Sequence, residues 1–210
     1  MQKSSGEAAY DALIQSIRNG VYPPGHRLRE EDVGEHLGLS RTPVREALRR
    51  LEAEGIVEHR ARIGAVVRQL SHGELVELYE MRMVLERTAA ELAAQHGGAA
   101  EFDTLDDLNA EIVAERDNPA RAAAINQEFH RGLYLAARNR FLLEAARALN
   151  NSLLLLGPTT FTDEARIDTV TRQHQMIIDA LRSGDIEAAG AAAEAHLQTS
   201  LRHRLKALAA

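Results

Sequence analysis

Five polar side chains interrupt the apolar stripes of predicted helices in the second half of the chain. They are Arg82, Asn126, His130, His174 and His196. Burying a polar group without a partner costs on the order of a few kcal/mol, so such groups on the inner faces of four helices are expected to meet. Three imidazoles would offer nitrogen ligands to a divalent metal such as Zn²⁺, Ni²⁺ or Mn²⁺, with open positions for water or an anion. The guanidinium of Arg82 would then bind a carboxylate of that anion in a bidentate pair.

Each of these histidines also has a simpler interpretation, as a core histidine hydrogen-bonded to the backbone. The pattern of residues alone leaves both interpretations open. No acidic residue is obviously placed beside the three histidines to act as a base. The remaining histidines are interpreted as ordinary core or surface residues: His26, His36, His59, His72, His96 and His203.

A second set of residues with a chemical use lies in a predicted helix after Ser40. Arg41, Arg45 and Arg49 are each four residues apart and share one edge, and Thr42 lies beside them at the N-terminal end. The opposite face is apolar, with Val44, Ala47, Leu48 and Leu51. A helix with an apolar side and a row of guanidiniums suits insertion into a DNA major groove. The alternative is an arginine-rich surface helix, and the elements around it favour the first interpretation.

The flanking elements complete a winged helix-turn-helix. Residues 30–36 predict a short helix that ends at Gly38, so a helix, a tight turn and a second helix follow in order. Residues 56–60 and 65–68 predict two short strands, and Arg62 lies near the tip between them. We therefore expect Arg41, Thr42, Arg45 and Arg49 to contact DNA bases and phosphates, and Arg62 to add a contact from the wing.

Beyond residue 70 the sequence predicts helices throughout. The breaks fall at glycine, asparagine and proline, and they give predicted helices at 72–95, 100–116, 120–137, 139–156, 163–183 and 185–207. The predicted fold class is mainly α: a winged helix-turn-helix domain at 1–70 and an all-helical bundle at 71–210, which we expect to bind an effector and to dimerise.

Composition and charge narrow the class of protein. Residues 1–70 contain 11 basic and 10 acidic side chains, a net charge of +1, whereas residues 71–210 contain 14 and 21, a net charge of −7. A local basic patch on an acidic body suffices for phosphate contacts because screening acts beyond about 10 Å. The absence of cysteine excludes disulfides and thiolate metal sites. The sequence contains no membrane-length apolar run and no visible secretion signal, so we expect a cytoplasmic protein without a membrane partner.

Two stretches resemble one family of regulators. The segment from residue 24 to residue 65, above all the run SRTPVREAL at 40–48, resembles the DNA-binding domain of the GntR family of bacterial transcription regulators. The second half is similar to the FCD ligand-binding domain, on the strength of 126–130, 137–139, His174, 179–185 and His196.

The second resemblance carries expectations about the polar residues. Many FCD domains ligate a metal with one Asp and three His, and a small carboxylate effector binds that metal. The resemblance implies that His130, His174 and His196 hold a metal and that Asn126 stands at the Asp position. It also implies that Arg82 and Asn126 contact the effector. An amide oxygen is a weaker ligand than a carboxylate, so the substitution bears on the affinity for the metal and on its identity.

The leading hypothesis is therefore a metabolite-responsive transcription regulator rather than an enzyme. It would bind a palindromic operator as a homodimer, with two recognition helices about 34 Å apart. The sequence leaves the effector, the metal and the sign of regulation open. One alternative is a metalloenzyme on a helical bundle, but the chain has no Glu-x-x-His, His-Glu-x-x-His or Gly-x-Ser-x-Gly motif. A helical adaptor whose winged domain binds protein would leave the arginine edge unexplained.

Overall fold

The computed structural model describes residues 4–157, 159–161 and 164–209, and these residues confirm a mainly helical chain with a two-stranded wing. The predicted domains also extend over residues 1–3, 158, 162, 163 and 210, which lie outside the described residues. The elements in chain order are α1 (Ser5–Arg18), α2 (Glu30–Leu37), α3 (Arg41–Ala53), β1 (Val57–Arg60), β2 (Gly64–Val67), α4 (His72–His96), α5 (Ala99–Ala114), α6 (Pro119–Ala136), α7 (Arg140–Leu153), a one-turn 3₁₀ helix (Leu154–Leu156), α8 (Glu164–Ser183) and α9 (Ile186–Ala209).

The chain divides into two compact units. The first comprises Met1–Ser71 and Asn150–Pro158, and the second comprises His72–Leu149 and Thr159–Ala210. The sequence prediction runs one helix through 139–156, whereas α7 ends at Leu153 and gives way to the 3₁₀ turn. Gly157 follows the 3₁₀ turn with φ of 71° and precedes a proline in the sequence, which explains why the helical turns end at Leu156.

The first unit packs its three helices and its wing around one apolar core. β1 and β2 are antiparallel, with Val57 opposite Val67 and Arg60 opposite Gly64. The core residues share full or nearly full burial and come from α1, α2, α3, both strands and the 3₁₀ turn: Leu13, Val33, Val44, Leu51, Val57, Val67 and Leu155. The apolar side of α3 is thus buried in the core, and its basic edge faces solvent.

The turn between α2 and α3 depends on two glycines. Gly38 ends α2 in the left-handed conformation at φ 66°, and the N–H of Leu39 donates to the carbonyl of Gly34 at 2.9 Å. This arrangement is a Schellman cap. A Cβ at Gly34 would lie 2.8 Å from the carbonyl oxygen of Leu39, closer than side chains tolerate. The tight turn therefore fixes how α3 is presented beside α2.

The second unit is a helical bundle in which α4 packs against α6, α8 and α9, and α5 packs against α6 and α8. Small residues line the α4–α9 contact, including Ala89, Ala93, Ala189 and Ala193, all fully buried. Such small side chains permit two helices to approach closely. Among the helices of the described residues, none is long and apolar enough to span a membrane.

Candidate functional sites

The basic edge of α3 is exposed, as its sequence pattern predicts. Arg41, Arg45 and Arg49 all face solvent, and Thr42 is exposed beside them in the first turn. Ser40 is the N-cap residue of α3. The backbone N–H groups of a helix N-terminus add a partial positive charge, so this end of α3 favours a phosphate or a base acceptor.

Two arginines of that edge are in ion pairs with α2. Arg45 donates from Nε and Nη2 to the two carboxylate oxygens of Glu30, both at 2.8 Å, and Arg41 pairs with Glu31. The hydrogen bond from Arg45 lowers the pKa of Glu30, and the charges of Arg41 and Arg49 add to that effect. Because exposed pairs are worth at most about 1 kcal/mol, a phosphate can displace these carboxylates.

The tip of the wing presents one further cation. Arg62 is exposed in the turn between β1 and β2 and has φ of 66°, a conformation that few non-glycine residues adopt. Gly64 follows with φ of 98°. In β1, Arg60 is held by Glu58 at 2.6 Å. The turn thus projects Arg62 while Arg60 is engaged within its own strand.

The second unit buries three imidazoles side by side. His130 comes from α6, His174 from α8 and His196 from α9, and their exposed fractions are 5%, 0% and 1%. Their ring centroids are 4.7 to 5.5 Å apart, and one nitrogen of each ring lies within 4.8 Å of those of the other two. That spacing is compatible with three ligands around one ion.

A different contact orients each ring. Nδ1 of His130 bonds to a carboxylate oxygen of Glu86, and Nδ1 of His196 bonds to Oε1 of Gln173 at 3.2 Å. Because these oxygens only accept, both Nδ1 atoms carry the hydrogen and both Nε2 atoms keep a lone pair. The ring of His174 stacks on Phe129, with centroids 3.7 Å apart and planes 3° from parallel.

Several buried atoms of this cluster have no hydrogen-bond partner within the described chain. They are both ring nitrogens of His174, Nε2 of His196 and Oδ1 of Asn126. Leaving a buried polar atom unsatisfied costs about 1–3 kcal/mol, so these atoms are free to bind a ligand, and Asn126 lies one helical turn before His130 on α6. Nitrogen donors with one amide oxygen suit a divalent cation such as Zn²⁺, Ni²⁺ or Mn²⁺, and the residues present therefore fit a metal.

Burial keeps the imidazoles ready to act as ligands. Desolvation, reinforced by the neighbouring His130 and by Arg166, holds the pKa of His174 well below its ordinary value. The pKa of His196 is lowered in the same way by burial, and then by the charges of His174 and His130. Both rings are therefore neutral at neutral pH, the form that binds a metal.

Two buried guanidiniums act on the same cluster. Arg82 of α4 is 8% exposed, lies over the ring of Tyr79 at 4.8 Å and contributes to the lowered pKa of His196. Arg166 of α8 is 3% exposed and donates to the hydroxyl of Ser200 at 3.0 Å. Buried cations that act on the imidazoles favour an anionic ligand.

Sequence reasoning missed Glu86 and Arg166. The expectation that no acidic residue stands beside the histidines is wrong, because Glu86 contacts His130. Glu86 follows Arg82 by four residues, and Arg166 precedes the apolar Val170 by four, so the same test of polar residues on apolar stripes, extended by one turn, would have found both. Metal, effector and DNA roles for the predicted residues remain predictions.

Comparison with known proteins gives matches to both halves of the chain. Residues 5–67 match the family model described as bacterial regulatory proteins, gntR family, and residues 77–199 match the FCD domain. A protein of Paenarthrobacter nicotinovorans named as a probable D-xylose utilization operon transcriptional repressor is 36% identical over 193 residues, covering 91% of this chain and 84% of that protein. The uncharacterized HTH-type regulator YdhC of Bacillus subtilis is 29% identical, covering 92% and 88%.

Solved structures agree along nearly the whole chain. Escherichia coli McbR/YncC superposes with a TM-score of 0.83 at 20% identity, covering 99% of this chain and 100% of that chain, which speaks for the fold alone. A GntR transcriptional regulator from Rhodococcus sp. RHA1 superposes with a TM-score of 0.79 at 26% identity, covering 98% and 99%.

Proposed function

Since this chain belongs to the GntR family of bacterial regulatory proteins, with an FCD domain, and is a DNA-binding transcription regulator rather than an enzyme, we propose that a small carboxylate bound at a metal site in the helical domain controls its affinity for the operator. The observation that carries the proposal is the set of orphaned buried atoms around His130, His174 and His196. Unsatisfied polar atoms in a core are costly, and a bound metal with its effector would satisfy them.

We propose that the DNA contacts come from the edge of α3 and from the wing. Arg41, Arg45 and Arg49 would bind phosphates and base edges, with Thr42 adding a hydroxyl contact. Arg62 would add a contact at the wing tip. The exposure of all five side chains supports this assignment. A homodimer would place two such helices about 34 Å apart and would read a palindrome.

The metal would be held by His130, His174 and His196, with Asn126 as the oxygen donor. When bound, the metal supplies open coordination positions to a carboxylate oxygen of the effector. Arg82 would bind the same carboxylate through its guanidinium, and Asn126 would lie within reach of it. Hydroxy acids and sugar acids are the first candidates, and the name of the relative from Paenarthrobacter nicotinovorans, which refers to D-xylose utilization, supports testing sugar acids first.

Control of the operator follows from a shift between two conformations of the regulator. Metal and effector join side chains from several helices of the bundle, so they stabilise the conformation in which those side chains converge. The change in operator affinity is limited by the difference in effector affinity between the two conformations, and it amounts to about 1–3 kcal/mol in typical regulators.

The test is a binding titration on the DNA upstream of the protein's own gene. Full-length protein, either loaded with Zn²⁺ or stripped with a chelator, is titrated at low salt with and without a panel of hydroxy and sugar acids. We expect specific binding, and a change of about 5- to 150-fold with at least one acid when the metal is present. Absence of binding under every condition would contradict the DNA-binding role. Specific binding that no acid and no metal alters would contradict the proposed control.

A further inference from the structure

Glu86 places a negative charge behind one of the candidate metal ligands. It is 1% exposed, and it accepts a hydrogen bond from Nδ1 of His130, which is 5% exposed. Taking a carboxylate out of water costs several kcal/mol unless a donor compensates it, and here that donor is an imidazole N–H. The contact therefore ties α4 to α6 through a buried polar pair.

The direction of this hydrogen bond fixes which ring nitrogen of His130 carries the hydrogen. With Nδ1 donating to the carboxylate, the lone pair of His130 is on Nε2. His196 carries its hydrogen on the same nitrogen, because its Nδ1 donates to Oε1 of Gln173. Its Nε2 is one of the buried atoms without a hydrogen-bond partner in the described chain. The two rings differ in one respect: a charged carboxylate stands behind His130 and a neutral amide stands behind His196. A carboxylate hydrogen-bonded to an imidazole raises the basicity of the other ring nitrogen.

The charge of Glu86 matters because the candidate metal ligands carry no charge of their own. The candidate ligand set consists of three neutral imidazoles and the amide oxygen of Asn126, so it brings no negative charge to a divalent cation. A buried cation needs compensation, and Arg82 nearby adds a further positive charge. Glu86 is separated from the cation position by one imidazole ring. It therefore offers the compensation that Asn126 lacks.

We propose that Glu86 is a positioning residue of the metal site. Through His130, it fixes the imidazole with Nε2 toward the metal and supplies the negative charge that the ligand set does not contain. This inference rests on the metal site of the proposed function.

The experiment measures the affinity of the full-length, metal-stripped protein for Co²⁺ by competition with a chromophoric chelator. Glu86→Gln keeps the shape of the side chain and removes its charge. The matched control is Glu80→Gln, the same change on the exposed face of α4. We expect Glu86→Gln to weaken Co²⁺ binding by about 10- to 100-fold and to alter the visible absorption of the bound ion, whereas the control leaves both unchanged.

A rescue variant separates this role from simple support of the fold. Asn126→Asp brings a carboxylate into the ligand set, so in the Glu86→Gln background it should restore most of the lost Co²⁺ affinity. Unchanged Co²⁺ affinity in Glu86→Gln, or a loss that Asn126→Asp leaves in place, would overturn the inference. Failure of the wild-type protein to bind Co²⁺ would instead overturn the proposed metal site together with this inference.

A further test uses the wild-type protein alone, so it does not depend on whether a variant folds. Nitrogen-15 NMR of the imidazoles in the Zn²⁺-loaded protein reports which ring nitrogen binds the metal and which carries hydrogen. We expect Nε2 of His130 to be bound and Nδ1 to be protonated. A metal on Nδ1 would require the contact with Glu86 to break and would refute the assignment.

Discussion

At the scale of single residues, neighbouring arginines of α3 have different surroundings. Arg49 lies on the exposed edge with Arg41 and Arg45, whereas Arg50 lies over the ring of Tyr10 at 3.7 Å and bonds to Glu54 at 3.1 Å. Arg49 and Arg50 therefore offer a matched comparison, because they share residue type, charge and helix and differ in what their side chains contact.

If the side chain of Arg49 contacts a base, we expect Arg49→Ala to weaken operator binding by about 1–3 kcal/mol. If it contacts a phosphate, we expect the steepness with which the binding constant falls with salt, on logarithmic axes, to decrease by about one per protomer. Arg50→Ala should lower the free energy of unfolding and leave the operator affinity of the folded protein within about threefold. Fluorescence anisotropy at several salt concentrations makes the measurement. Equal loss of affinity in both variants would contradict the assignment of the α3 edge.

The two fully buried histidines predict how stability depends on pH in the metal-free protein. Burial lowers the pKa of His174 and His196 in the folded state, so below their ordinary pKa of about 6.5 the unfolded chain binds protons that the folded chain does not. Stability should therefore be complete above that pH and fall as the pH decreases below it, by up to about 1.4 kcal/mol per pH unit for each ring. Urea unfolding between pH 5 and pH 7.5, with His174→Gln as the variant of smaller slope, measures this. A stability that rises toward pH 5 would contradict it.

At the scale of elements, α2 sets the charge seen by DNA. Glu30 and Glu31 engage Arg45 and Arg41, so binding to a phosphate requires both cations to exchange partners. Repulsion between these carboxylates and the phosphates adds to that cost.

Replacing both Glu30 and Glu31 with Gln should raise the affinity for operator and for unrelated DNA by about 3- to 10-fold, since each exposed pair is worth up to about 1 kcal/mol. Glu35→Gln on the same helix is the control for the loss of a single carboxylate charge, because Glu35 is exposed and stands outside these pairs. Gel-shift titrations of each variant and the wild-type protein on operator and on unrelated DNA give the changes in affinity. An unchanged or reduced affinity would mean that α2 supports DNA binding through its carboxylates.

The turn between α2 and α3 is sensitive to a single methyl group. Gly34→Ala would bring Cβ within 2.8 Å of the carbonyl oxygen of Leu39, and the backbone there cannot yield without moving α3. We expect a loss of about 1–3 kcal/mol in the free energy of unfolding of the first unit. Gly73→Ala is the matched control, since open space surrounds that position and alanine favours a helix. Thermal unfolding with equal destabilisation of both variants would contradict this account.

Local patterns predicted the elements, and partly the candidate site. Periodicity and the runs around Ser40 and Gly38 suffice for α2, α3 and the wing, because these features depend on neighbours in sequence. The burial of Arg82 and of the three imidazoles followed from their positions on apolar stripes. The contact of Glu86 with His130 joins residues 44 positions apart and depends on how α4 packs on α6, which periodicity does not encode. The placement of Leu155 in the core of the first unit was hidden for the same reason, since a run of leucines continues a helix as readily as it ends one.

At the scale of the whole molecule, the proposed control requires that the effects of acid and operator on each other's affinity be equal. If an acid bound with the metal changes operator affinity by some factor, operator DNA must change the affinity for that acid by the same factor, because both belong to one cycle. Calorimetric titration of the acid with and without an operator fragment, and anisotropy of the operator with and without the acid, measure the two factors independently.

We expect the two factors to agree and to lie between about 5 and 150, and removal of the metal to reduce both toward one. Arg82→Lys keeps the charge but loses the bidentate geometry, so it should weaken binding of the acid while leaving the operator affinity of the acid-free protein unchanged. An acid that binds with full affinity and leaves the operator affinity unaltered would refute the coupling. An Arg82→Lys protein with an unchanged acid affinity would instead remove Arg82 from the effector site while leaving the coupling intact.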